Sequence, residues 1–133
     1  MINLILFGIV ILFTISCRND ENCHDSILIK NNSSKAMYFG FSFRYPDTIT
    51  LDPNPTLDKL YFKIENHSDK SVHYRHCIED DFVFTSKIMC FIYNSETLET
   101  TPWDTVVKKY MILKRYDLTL HDLDSLNWII TYP

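Results

Sequence analysis

Short runs of alternating apolar and polar positions dominate the chain after its first 25 residues. The clearest is Ala36 to Arg44, AMYFGFSFR. Met37, Phe39, Phe41 and Phe43 fall on one side, and Tyr38, Gly40, Ser42 and Arg44 on the other, the period of a strand. SILIK at 26–30 reads as a second, shorter strand. The NNSSK between them has turn chemistry without glycine, because Asn tolerates positive φ. The pair predicts a hairpin. Residues 45–58 hold three of the five prolines and read as a loop crossing a sheet edge. KLYFKIE at 59–65 alternates again, with Leu60, Phe62 and Ile64 inward. NHSDK is a turn, and 71–76 is a weaker strand. KIMCFIY at 87–93 is apolar on both faces, which predicts a central strand.

Two helices are expected late in the chain. In TPWDTVVKKY, Thr101 can cap, Pro102 suits the first helical position, and Asp104 sits near the positive helix end. Trp103, Val106, Val107 and Tyr110 then share one face. In TLHDLDSLN, Thr119 caps, Asp122 answers, and Leu120, Leu123 and Leu126 form the apolar stripe. YMILKRY and NWIITY flank that second helix as strands and could form one parallel pair. The fold class expected is mainly β, becoming α+β at the C-terminal end. It is an antiparallel β-sandwich or curved sheet of about seven short strands with two short helices.

The N-terminus follows a different pattern. Residues 2–16 carry no charged side chain, and 4–13 are almost purely aliphatic or aromatic. A bilayer-spanning helix needs roughly 20 apolar residues, so this run has the length of a signal-peptide core instead. It ends Thr14-Ile15-Ser16-Cys17 and turns polar at once with RNDEN. This resembles a bacterial lipoprotein precursor of the Bacteroidota type. In such precursors a peptidase cuts just before a cysteine that has received a diacylglycerol. The resemblance implies a signal peptide over 1–16, lipidation at Cys17, a tether through residue 25, and a single β-rich domain over 26–133. Two other readings stay open: Thr14 and Ser16 also suit an ordinary signal peptidase, and the run could remain as an uncleaved anchor. All three export the domain. The strings YFGFSFRYPDT (38–48) and LKRYDLTLHDLDSLNWIITYP (113–133) are further similar to a group of small, uncharacterised lipoproteins of gut Bacteroidota. That likeness implies attachment to the outer membrane, periplasmic or surface-facing, and no particular chemistry.

Composition narrows the chemistry. The chain has 133 residues, with Lys+Arg 13 against Asp+Glu 17 and a net charge of −4, which gives no footprint for nucleic acid. Of its two glycines, Gly8 lies in the apolar run, leaving Gly40 alone in the domain. Gly-rich phosphate loops, dinucleotide fingerprints and the nucleophile elbow each need several, so none is present and no cofactor is expected.

Candidate chemistry is sparse. His73, His76 and Cys77, followed by Glu79, Asp80 and Asp81, make the densest ligand-like stretch. On a strand, residues 73 and 76 project to opposite faces, so the histidines read as surface groups near a turn rather than a metal site. The three acids could include a carboxylate pair for a small hydrolase, which needs two carboxylates about 5 to 9 Å apart across a cleft. Tyr38, Tyr45, Tyr61 and Tyr74 lie on or beside strands and form a candidate binding patch for a protein or glycan partner. Of the four cysteines, Cys90 reads as a buried free thiol. Cys23 and Cys77 flank strands at polar positions, and in an oxidising compartment a disulfide between them is expected. The rival is a free Cys23 in a flexible tether. The function expected is an exported, membrane-anchored lipoprotein serving as a binding or assembly module. The alternative is the carboxylate hydrolase.

Overall fold

A computed structural model of the chain describes residues 22–46 and 54–133, with only the backbone of residues 60 and 61. Its architecture follows from the strand β5, Ile88–Asn94, in which every side chain from Ile88 to Tyr93 is buried. A strand apolar on both faces must be covered on both. β5 lies between β2 (Met37–Ser42) and β6 (Lys114–Leu118), with β3 (Lys63–Ile64) beyond β2. All three pairings in this four-stranded sheet are antiparallel.

One face of that sheet presents Met37, Phe39, Cys90 and Ile92 to a second, three-stranded sheet. There β1 (Ser26–Asn31) runs between β4 (Ser68–His73) and β7 (Ile129–Tyr132). Ile27, Ile29, Val72 and Ile130 are its contribution to the shared core. The other face of the four-stranded sheet presents Tyr38, Met89, Phe91 and Tyr93. Leu98 of α2 (Ser95–Thr100) and Val106 of α3 (Trp103–Lys108) cover them. The result is the mainly β, α+β sandwich anticipated above, with seven strands among the described residues and a helical layer on one side.

Several local expectations are corrected. β1 and β2 do not form a hairpin but belong to opposite sheets. Asn31 turns the chain: its buried amide donates to the carbonyls of Lys35 (2.8 Å) and Glu65 (3.0 Å). Its oxygen accepts from the Ser33 amide (3.0 Å) and hydroxyl (2.7 Å). The two strands therefore stack through their side chains rather than pairing. The expected strand at 59–65 is instead α1 (Lys59–Phe62) followed by the two residues of β3. Asn54 accepts from the Thr56 amide (3.0 Å) and Pro55 opens a 3-10 turn that feeds α1, so Asn-Pro acts here as a helix start. β4 begins at Ser68 and ends at His73, earlier at both ends than expected. The parallel pair joins β7 to β1, not to β6.

Thr101 does not cap α3. It closes α2, donating its backbone N–H to Thr97. Residues 110–113 precede β6 rather than belonging to it. Tyr110 takes φ 51°, with its N–H on Val107 and that of Met111 on Val106, which is a Schellman ending without glycine. In α4 (Leu120–Ser125) the capping box is present: the Thr119 amide donates to Asp122 Oδ2 (2.8 Å), and the Asp122 amide to Thr119 Oγ1 (3.1 Å). Leu123 is fully buried, whereas Leu126, the last of the expected stripe, is exposed.

A charged clasp ties the helical layer to the sheet edge. Glu99 of α2 accepts from Tyr38 Oη (2.8 Å) and from Lys63 Nζ (3.0 Å), with Lys59 at 3.5 Å. These donors, Lys63 first, hold the Glu99 carboxyl down to about 2, from an ordinary 4.5. Burial and the Glu99 contact together push the Tyr38 phenol up.

Two outcomes follow. Thr119→Ala should lower stability by about 1 kcal/mol through the lost cap, and Leu123→Ala by about 2 to 5 kcal/mol through the cavity left in the core. Urea denaturation of both variants measures this, and equal, negligible losses would remove the packed helix. Because the Glu99 pKa is depressed in the folded state, its contribution is present above 4.5 and is lost as pH falls towards about 2. Glu99→Gln should therefore unfold at lower urea than wild type at pH 7, and the two midpoints should converge near pH 2.

Candidate functional site

The most developed polar cluster stands at the N-terminal end of β1. Two anchors bring the incoming chain there. A disulfide joins Cys23 to Cys77, with the Cα atoms 5.0 Å apart. Backbone N–H groups of Tyr74 and Ile78 donate to the carbonyls of Asp25 (2.7 Å) and His24 (2.8 Å). Between these anchors, the His24 amide donates to both carboxylate oxygens of Glu79 (3.1 and 3.0 Å), and its Nδ1 lies 2.5 Å from Glu79 Oε1. The carboxylate accepts, so Nδ1 is the donor of that contact.

The His24 ring stacks on Trp128, with centroids 4.0 Å apart and planes 15° from parallel. Trp128 is itself held tightly, its Nε1 donating to Asp124 Oδ1 at 3.1 Å. The end of α4 explains its position. Asn127 takes φ 50° and Trp128 φ 59°, while their N–H groups reach back to Asp124 and Leu123. A left-handed tryptophan is an uncommon conformation for a bulky residue, costing about 1 to 3 kcal/mol, and surrounding contacts must hold it.

Beside this cluster an open groove of about 490 Å³ runs over the outer face of the three-stranded sheet. Ser71, Leu28 and Ile129 form one row across β4, β1 and β7, since Leu28 pairs with both of the others. Ser26, His24, Trp128, Asp124 and Asn127 complete the lining. The groove thus has an apolar floor with hydroxyl, carboxylate, amide and imidazole groups around it, a mix suited to a polar ligand with an apolar side.

The residues singled out from sequence are distributed differently. Tyr38 is fully buried beneath the helical layer and is closed to a partner. Tyr45 packs on that same side, with Lys87 Nζ 5.2 Å from its ring centre. Tyr74 sits on the opposite side of the sheet, edge-on to Phe41 and Phe43. These three therefore make no single patch. The Tyr61 side chain and Cys17 lie outside the described residues. Glu79 is committed to His24 and Asp81 to His76 (2.9 Å), while Asp80 is exposed. Cys77 is consumed by the disulfide, and His73 lies on the exposed side of β4. Among the described residues no group of three or more His, Cys, Asp or Glu is placed to hold a metal ion. Cys90 is a buried free thiol whose pKa burial pushes up.

Sequence reasoning missed His24 and Trp128, whose ring contact crosses most of the chain length and has no local signature. No protein-family model matches the chain, and neither a curated protein nor a solved structure matches it.

The disulfide carries this site. It closes a 54-residue separation, for which loop-closure entropy gives about 4 kcal/mol. Cys23→Ser with Cys77→Ser should lower the unfolding free energy by about that amount, read by urea denaturation of the variant against oxidised wild type. Matching midpoints would mean that the bridge does not constrain the unfolded chain.

Proposed function

We propose that the chain is an exported lipoprotein, anchored at Cys17, whose sandwich acts as a binding or assembly module at the cell envelope. The groove over the three-stranded sheet is its binding surface. The observation that carries this reading is the Cys23–Cys77 disulfide. A structural disulfide belongs in an oxidising compartment, as export requires. Its position adds to this: Cys23 is the sixth residue after Cys17, at the point where a tether would meet the folded body. The apolar run ending at Ser16-Cys17 supplies the matching signal in the sequence. The groove supports binding because its polar groups and apolar floor lie together on a sheet face open to solvent.

A lipid anchor with two or three chains holds stably, at about 0.8 kcal/mol per buried methylene. Cys17→Ala should release the protein from the membrane fraction or leave it as an uncut precursor. Detergent partitioning with intact mass measures this. A variant that still partitions as a mature, acyl-bearing protein would overturn the anchor.

A further inference from the structure

The segment 74–87 links the end of β4 to the start of β5, and its tip is apolar and bare. Val83 is 80% exposed and Phe84 89%. Solvent exposure of this degree in two adjacent large apolar side chains does not help folding. Nor is the tip a loose excursion. Its base is fastened by the disulfide, by Ile78, which is fully buried, and by the Glu79–His24 contacts. On the far side the buried Thr85 hydroxyl donates to the Lys87 carbonyl (2.7 Å), just before β5.

Topology puts this tip at the same end of the sandwich as the incoming tether. β1 starts there, antiparallel β4 ends there, and parallel β7 starts there. The end of α4 is brought to the same place by the Trp128–His24 stack, and the exposed Leu126 lies two residues before Trp128. Six residue steps separate Cys17 from Cys23, a reach of at most about 20 Å when fully extended. A lipid on Cys17 therefore keeps this end within about 20 Å of the bilayer.

We infer that Val83 and Phe84 form a wedge that seats in the headgroup region of the bilayer carrying the anchor. This inference rests on the lipid anchor proposed at Cys17. The wedge is a second attachment point, and with the anchor it fixes how the domain stands on the membrane. Interfacial seating scales with the apolar area inserted, which suits two adjacent apolar side chains this exposed. Glu79 and Asp81 are each bonded to a histidine, and the exposed Asp80 and Arg75 of this connection carry opposite charges, so no excess of one sign opposes a zwitterionic surface.

The test uses the full protein extracted from membranes and reconstituted into phosphatidylcholine vesicles, with and without bromine on the acyl chains. Phe84→Trp, with Val83→Trp as a second probe, should lose emission in brominated vesicles beyond the loss of wild type, whose tryptophans are Trp103 and Trp128. Leu57→Trp is the control. Leu57 is also exposed but precedes β3, which pairs with the opposite end of β2, and its emission change should match wild type. Acylated, vesicle-bound protein in which neither wedge probe is quenched beyond wild type overturns the wedge and leaves the anchor standing. Equal quenching at positions 57 and 84 also overturns it, because the domain then has no fixed stance. Protein that carries no acyl chain by intact mass and does not float with vesicles overturns both.

Discussion

Everything in this fold is arranged around covering β5 on two sides. Six consecutive buried residues, Ile88 to Tyr93, cannot be satisfied by a single partner layer. Odd and even positions point in opposite directions, so Cys90 and Ile92 require one cover while Met89, Phe91 and Tyr93 require another. A second sheet meets the first demand and two one-and-a-half-turn helices the second. Helices this short are not stable alone, and they persist because Leu98 and Val106 are buried on that face.

This hierarchy explains which parts were legible in the sequence. β5 was readable because burial on both faces leaves an unbroken apolar run. The first half of β2 is buried on both sides too, but Gly40 and Ser42 made one face look polar. By its pattern alone β2 therefore reads as a one-sided strand and a partner for β1. What placed the two strands in different sheets was the hydrogen bonding of Asn31, whose acceptors include Glu65, 34 positions away. No local pattern records such a bond. The Thr119–Asp122 box was readable because both halves lie within one turn. The Asn54-Pro55 start is not, because proline in a polar stretch reads equally as a loop mark. The His24–Trp128 stack and the groove depend on the parallel pairing of β7 with β1, which links the two ends of the domain.

The shortage of glycine shapes the details. Helix ends usually turn out through a left-handed glycine, which has no Cβ to clash. Here Tyr110 and Asn127 take that position, and His67 and Trp128 also adopt positive φ. Asn tolerates it well; Tyr and Trp do so only under outside constraint. For Trp128 the constraint is visible as the bond to Asp124, the ring of His24 and burial of the side chain. The strain at the end of α4 and the clamp on the incoming chain therefore support each other. Holding His24 against Glu79 keeps Trp128 covered, and Trp128 in turn gives His24 a surface on which to order.

The exposed strand edges are obstructed, while the outer face of the three-stranded sheet stays open. An edge strand offers unpaired backbone groups to any other chain. On β4, Lys70 pairs with Ile29 and so points inward, where its Nζ donates to the Lys63 carbonyl (2.7 Å) and burial lowers its pKa. A new strand docking there would meet a charged side chain turned towards the core. On β7, the Thr131 carbonyl is already taken by Tyr116 Oη (2.9 Å), reaching across from β6 of the other sheet. β6 itself carries Lys114, Arg115 and Asp117, with Arg115 Nε on Asp117 (2.5 Å). With both of its edges obstructed, the three-stranded sheet offers its outer face and not its rim. Ser26, Ser71 and Asp124 line that open face, away from the obstructed rim.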